Sequence, residues 1–234
     1  MKIIAGNWKM NGTQKNLDSM ITDLSSIETE NKIILCVPNT MLNTNPGKIA
    51  LGAQDISAHT HGAYTGEVSA QMIAETSAKY VIIGHSECRQ YHGDTNSIVR
   101  QKASLALENG LTPIICVGET MDEKQAGKTM AVIESGVRES VPSDVSTPII
   151  IAYEPRWAIG AGLTPTSAEI AEAHTLIAKT LSDMGLNGTP VLYGASVKGN
   201  NAAEIMSIQN VDGVLVGGAS LQSDDFIPII TSVK

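Results

Sequence analysis

The chain opens Lys2-Ile3-Ile4-Ala5-Gly6-Asn7-Trp8-Lys9-Met10-Asn11-Gly12. An apolar run that does not alternate with polar residues reads as a strand buried on both faces, and such strands belong to parallel sheets covered by helices. The residues just after the run decide between the two common architectures of that kind. An open doubly wound sheet usually turns here through G-x-G-x-x-G, whereas this strand runs straight into Asn7 and Lys9. Beyond residues 2–8 come seven more runs rich in Ile, Val and Leu, at residues 32–37, 48–54, 80–85, 112–117, 148–154, 190–194 and 213–217. Eight runs in 234 residues leave roughly 29 residues for each strand, loop and helix, the size of the unit in a closed β/α barrel.

Helices read between several of the runs. Residues 96–109 end at Gly110, and residues 166–184 start at Thr166 and Ser167 and end at Gly185, the start and stop chemistry of helices. Residues 38–47 contain Asn45-Pro46-Gly47, so the second helix is predicted to be a turn at most or absent. Residues 55–67 have no periodicity and predict a long projecting loop. No linker, repeat or low-complexity tract divides the chain, so residues 1–234 read as a single barrel domain.

Composition narrows the function. The net charge is −8, the cations are scattered, and there are only two Trp, five Tyr and one Phe. That leaves neither the basic stripe nor the stacking platforms of a nucleic-acid surface. No apolar run is long enough to span a bilayer and no leader is visible, so membrane and secretory readings fail. Cys36, Cys88 and Cys116 fall in no C-x-x-C pair or Cys/His ligand spacing, which suits reduced thiols and a cytoplasmic location.

In a β/α barrel the reactive groups lie at the carboxyl ends of the strands. Glu154 follows an apolar strand, where partial desolvation raises a carboxylate toward the range of a general base; a capping or salt-bridged Glu is the alternative. His85 precedes a helix start at Ser86-Glu87, and helix N–H groups facing its ring would keep it neutral and able to donate to an oxyanion; a satisfied rim histidine is the alternative. Lys9 follows Asn7 by one pleat, so it would point into the mouth toward an anion, or else lie solvated. Gly217-Gly218 after the last strand, Ser196 after the seventh and Gly160 in Ala158-Ile159-Gly160-Ala161-Gly162 supply backbone N–H groups for a phosphate. Residues 155–165 join an apolar tip, Trp157-Ala158-Ile159, to flanking prolines, the composition of a lid. Among His59, His61, His92 and His174 none has a partner at convincing metal spacing, His59-Thr60-His61 being the nearest, so no metal is expected.

Six segments resemble the triosephosphate isomerase family, in that family's order. They are Ala5-Gly6-Asn7-Trp8-Lys9-Met10-Asn11-Gly12, Gly62-Ala63-Tyr64-Thr65-Gly66-Glu67, Ile83-Gly84-His85-Ser86-Glu87, Ala152-Tyr153-Glu154-Pro155 with Trp157-Ala158-Ile159-Gly160, Tyr193-Gly194 with Ser196-Val197, and Leu215-Val216-Gly217-Gly218-Ala219-Ser220. The resemblance implies a closed eight-stranded parallel β/α (TIM) barrel that interconverts dihydroxyacetone phosphate and glyceraldehyde 3-phosphate through an enediolate, without metal or cofactor. It implies Glu154 as the base, His85 and Lys9 as oxyanion stabilisers with Asn7 beside them, and Gly160, Ser196, Gly217 and Gly218 as phosphate holders. Glu87 and Tyr193 would support the site. Tyr64 and Thr65 would tip a loop that inserts into a partner subunit of a homodimer. The chain departs from the family's usual residues at Cys88, Ala195, Arg156 and Pro165, and none of these is an implied catalytic residue. Two other readings stay open: a different phosphosugar barrel, although the later strands offer no lysine for an aldolase Schiff base, and a phosphometabolite sensor built on an inactive barrel.

Overall fold

The computed structural model of the protein describes residues 1–145, 147–159 and 163–233. Its strands are β1 Ile3–Asn7, β2 Lys32–Cys36, β3 Ala50–Ala53, β4 Ala78–Ile83, β5 Thr112–Val117, β6 Ile150–Tyr153, β7 Val191–Tyr193 and β8 Gly213–Val216. All neighbours pair in parallel in chain order, and β8 pairs back onto β1 to close the barrel. Seven of the eight apolar runs contain a whole strand, and β4 begins two residues ahead of its run at 80–85. The residues trimmed from the carboxyl ends of the runs include Trp8, His85, Glu154 and Gly217, so the chemistry starts where strand pairing stops.

The unbroken apolar character of the runs is explained by two cores. Ala5, Ile34, Cys36, Ile82, Ile114, Cys116, Ile150, Ala152, Leu192 and Leu215 pack together, at the alternate positions that point into the barrel. The intervening residues, among them Ile4, Ile33, Leu35, Val81, Ile83, Ile115, Ile151 and Val214, face the helices. Asn7 and Glu154 continue the inward parity of Ala5 and Ala152, which aims both into the barrel mouth.

The helices among the described residues are α1 Gln14–Ser25, α2 Ala70–Ala74, α3 Ser86–Tyr91, α4 Asn96–Glu108, α5 Met121–Gln125, α6 Thr129–Ser140, α7 Ser167–Asp183, α8 Ala202–Ser207 and α9 Ser223–Ile230. The predicted boundaries of α4 and α7 hold to within a residue. Thr95 caps α4, and Thr166 caps α7 in a reciprocal box with Glu169. The second helix is reduced to the single 3-10 turn Asn39–Met41, and Met41, Leu42 and Ile49 fill the space with 4%, 0% and 6% exposure. Between β3 and α2 the chain forms the expected long loop, closed at its base by the Ser57 N–H donating to Val68 O at 2.8 Å.

Candidate active site

A pocket of about 320 Å³ opens at the carboxyl ends of the strands, lined by residues from the ends of β1, β4, β6, β7 and β8. It brings together Asn7, Lys9, His85, Glu154, Ser196, Gly217 and Gly218, which the sequence separates by as many as 211 positions.

Glu154 is 2% exposed and its carboxylate is fully engaged. Oε2 accepts the Ser86 N–H at 2.9 Å, and Oε1 lies 3.0 Å from His85 Nε2. Two glycines allow this placement. A Cβ on Gly118 would sit 1.7 Å from the Glu154 carbonyl oxygen, and one on Gly194 would sit 3.1 Å from Glu154 Cγ. The predicted rise in the Glu154 pKa is corrected here. Burial does push it up, but the His85 ring, the Ser86 N–H and Lys9 outweigh burial and hold the carboxyl below the usual carboxylate range.

His85 caps α3, and its Nδ1 accepts the Glu87 N–H at 3.2 Å, as expected of a ring facing helix N–H groups. Burial disfavours charge on the ring, but Glu154 and then Glu87 outweigh it and raise its pKa, the opposite of the expected direction. A Glu87 N–H aimed at Nδ1 needs a lone pair there, so this hydrogen bond assigns the proton to Nε2. The ring therefore presents Nε2–H to the pocket and to Glu154.

Lys9 departs from the expected pleat. β1 ends at Asn7, and Lys9 takes a left-handed backbone conformation with φ 53°. A side chain rarely adopts that conformation, at a cost of about 1–2 kcal/mol. Two contacts hold it: its N–H donates to Asn7 Oδ1 at 3.0 Å, and its Nζ donates to Glu87 Oε1 at 2.8 Å. Asn7 thus shapes the turn that aims Lys9, and Glu87 anchors the ammonium from α3.

Beside Lys9, whose Cε would lie 3.7 Å from a Cβ on Gly217, Gly217 leaves β8 and Gly218 begins the 3-10 turn Gly218–Ser220. A Cβ on Gly218 would meet nothing within 4 Å, so the backbone there borders open space. Ser196 is exposed at the rim and Ala195 lines the same wall. Lys198 also lines it, a cation the sequence reading did not single out. Gly160 lies outside the described residues, as do the neighbouring lid positions 161 and 162. Tyr193 is wholly buried, and among the described residues its hydroxyl has no hydrogen-bond partner. Tyr64 and Thr65 stand away from the pocket on the exposed tip of the β3–α2 loop, where Tyr64 stacks on His59 with ring centres 3.7 Å apart.

Glu119 is the functional residue that the sequence reading missed. It is 0% exposed, accepts the Trp157 indole N–H at 2.7 Å and faces the Tyr153 hydroxyl at 3.3 Å. Its carbonyl accepts the Arg156 N–H at 3.0 Å, so it anchors the segment directly after Glu154. Lys124 covers the other face of Trp157, with Nζ 4.0 Å from the ring centre. The signal was present: Gly118-Glu119 follows an apolar strand just as Glu154 does.

The family model for triosephosphate isomerase matches residues 2–233. The chain is 45% identical to the triosephosphate isomerase of Mesorhizobium japonicum, covering 99% of this chain and 96% of that protein. It is 44% identical to that of Ruegeria pomeroyi, covering 100% and 97%. The crystal structure of triosephosphate isomerase from Bartonella henselae superposes with a TM-score of 0.88 at 38% identity, over 99% of this chain and 98% of that one.

Proposed function

We propose how the pocket works, given that the chain belongs to the triosephosphate isomerase family and interconverts dihydroxyacetone phosphate and glyceraldehyde 3-phosphate, a step of glycolysis. The observation that carries the assignment of roles is the Glu154–His85 contact, a low-pKa carboxylate beside a ring nitrogen that bears its proton. A triose phosphate entering the pocket must separate this pair. Its carbonyl oxygen takes the Nε2–H in place of Glu154, and the freed carboxylate faces the carbon next to that carbonyl.

Glu154 then removes the proton from that carbon, and the C–H electron pair becomes the second bond of an enediolate. His85 Nε2–H and Lys9 Nζ stabilise the oxygen that gains charge. His85 Nε2 gives its proton to the oxygen that gained charge and takes the hydroxyl proton from the neighbouring oxygen, while Glu154 returns its proton to the neighbouring carbon, so the carbonyl moves by one carbon and no net proton is consumed. Asn7 and Glu87 position Lys9 rather than touch the reacting atoms. The backbone at Gly160, Ser196, Gly217 and Gly218 holds the phosphate, with Lys198 adding positive charge at that wall. Residues 155–165, anchored through Trp157 to Glu119, act as a lid that shields the enediolate from water, and Tyr193 supports its closed position.

We further read the whole chain as one barrel domain that works as a homodimer, with the exposed Tyr64 and Thr65 entering a second copy. Among the described residues no helix is long and apolar enough to cross a membrane. The free thiols Cys36, Cys88 and Cys116 suit the reducing cytoplasm, where we place it, also running in the direction of gluconeogenesis. Initial rates in both directions for the wild-type chain and Glu154→Gln test the roles. A variant as fast as wild type would remove Glu154 from them. Sedimentation across a range of protein concentrations tests the dimer, and a monomer at every concentration would contradict it.

A further inference from the structure

A second recess, of about 540 Å³, lies between the base of the β3–α2 loop and α3, with Asp55, Asp94, His59, His92 and Lys102 in its wall. The isomerase mechanism uses none of these residues. Cys88 and His92 lie one turn apart on α3 and its cap, with the His92 N–H donating to Cys88 O at 2.9 Å, so their side chains share a face. Asp55 reaches the same point from just beyond β3. One oxygen of Asp55, the Cys88 Sγ and one ring nitrogen of His92 all lie within 4.8 Å of one another.

That spacing is close to a coordination polyhedron. With metal–ligand distances of about 2.0–2.3 Å, neighbouring donors of a tetrahedral site stand roughly 3.3–3.8 Å apart. Drawing in by about an ångström brings these three to that spacing. His92 is exposed, and among the described residues neither its ring nor the Cys88 thiol makes a hydrogen bond, so both can turn. The surroundings are acidic: the charges acting on Cys88 come from Asp55, Asp94 and Glu87, against the single cation Lys102. Lys102 Nζ contacts both oxygens of Asp55, at 2.9 and 2.8 Å, and both of Asp94, at 3.1 and 2.8 Å. Asp94 therefore retains the lysine if Asp55 turns one oxygen away, and each carboxylate oxygen has lone pairs enough to serve two partners.

We propose that Asp55, Cys88 and His92 form a binding site for a zinc-class divalent cation, with three protein ligands and a fourth position open to water. The donor set of thiolate, imidazole and carboxylate selects a borderline metal over calcium or magnesium. On binding, the Cys88 S–H bond breaks, its proton leaves to solvent and a sulfur–metal bond forms, with no change of oxidation state. The bound ion would tie the base of the long loop to α3.

The test is titration of the chelator-stripped, full-length protein with Co²⁺ followed by Zn²⁺. One equivalent per chain is expected, with a thiolate-to-cobalt charge-transfer band that Zn²⁺ displaces. Cys88→Ser should remove the band and weaken binding at least about tenfold, and His92→Ala, at an exposed position that spares the fold, should weaken it comparably. His61→Ala, outside the recess, should change nothing. Absence of saturable binding overturns the site, as does binding that survives both Cys88→Ser and His92→Ala, or that is lost equally in His61→Ala.

Discussion

Lys102 and Glu154 are both charged groups buried near the carboxyl ends of the strands, and they are satisfied to different degrees. The Lys102 side chain is 7% exposed, and its ammonium faces all four oxygens of Asp55 and Asp94. Burial would lower its pKa, but the two aspartates raise it, so the lysine stays charged and closed in. Glu154 is as deeply buried, yet its partners are one backbone N–H and one imidazole, and it borders an open pocket. No fixed cation neutralises it as Asp55 and Asp94 neutralise Lys102. A saturated buried ion cluster holds structure together, whereas a buried charge held by exchangeable donors is available for chemistry.

This contrast predicts opposite behaviour on substitution. Glu154→Gln should lower kcat by about 10³-fold, the range of a lost general base, while urea denaturation finds its unfolding free energy within about 1 kcal/mol of wild type. Lys102→Met should do the reverse. Two carboxylates left facing each other cost about 3–5 kcal/mol of stability, read as a lower urea midpoint, with kcat per folded molecule unchanged. A large activity loss in Lys102→Met would erase the distinction.

His174 extends the comparison to a buried group kept neutral. It is 0% exposed, its Nδ1 lies 2.9 Å from Asn210 O, and burial lowers its pKa to about 4. The unfolded chain protonates this histidine first, near pH 6.5, so the stability it contributes is present above that pH and is lost as pH falls toward 4. The loss amounts to about 3 kcal/mol across that window. His174→Gln should flatten this acid limb in denaturation curves taken from pH 7 to 4. The smallest effect is expected at Glu119. Glu119→Gln should reduce kcat/KM about tenfold, the equivalent of one buried hydrogen-bonding partner, by loosening Trp157 at the start of the lid. Steady-state kinetics checks this, and an unchanged kcat/KM would make Glu119 purely structural.

The barrel was legible because each strand is apolar on both faces, and the reduced second helix because Asn45-Pro46-Gly47 forbids a longer one. The residues that line the pocket were legible because polar residues end apolar runs. Other features depend on contacts between distant residues, which local pattern does not carry. Glu154 is held low first by the His85 ring and then by the Ser86 N–H, 68 positions away. The left-handed Lys9 depends on Glu87, 78 positions away. The reading that no cysteine stands at Cys/His ligand spacing passes over Cys88 and His92, one helical turn apart, because their third donor, Asp55, arrives from another strand.

Above all, Glu154 is assigned the transfer of a proton between adjacent carbons of the triose phosphate. Partial conversion of dihydroxyacetone phosphate in D₂O, with deuterium located by NMR in the glyceraldehyde 3-phosphate formed, tests it most directly. Wild-type protein should deliver product bearing solvent deuterium on the carbon that receives the proton, and Glu154→Gln should label product no faster than buffer. Conversion or labelling by Glu154→Gln at the wild-type rate would contradict that role.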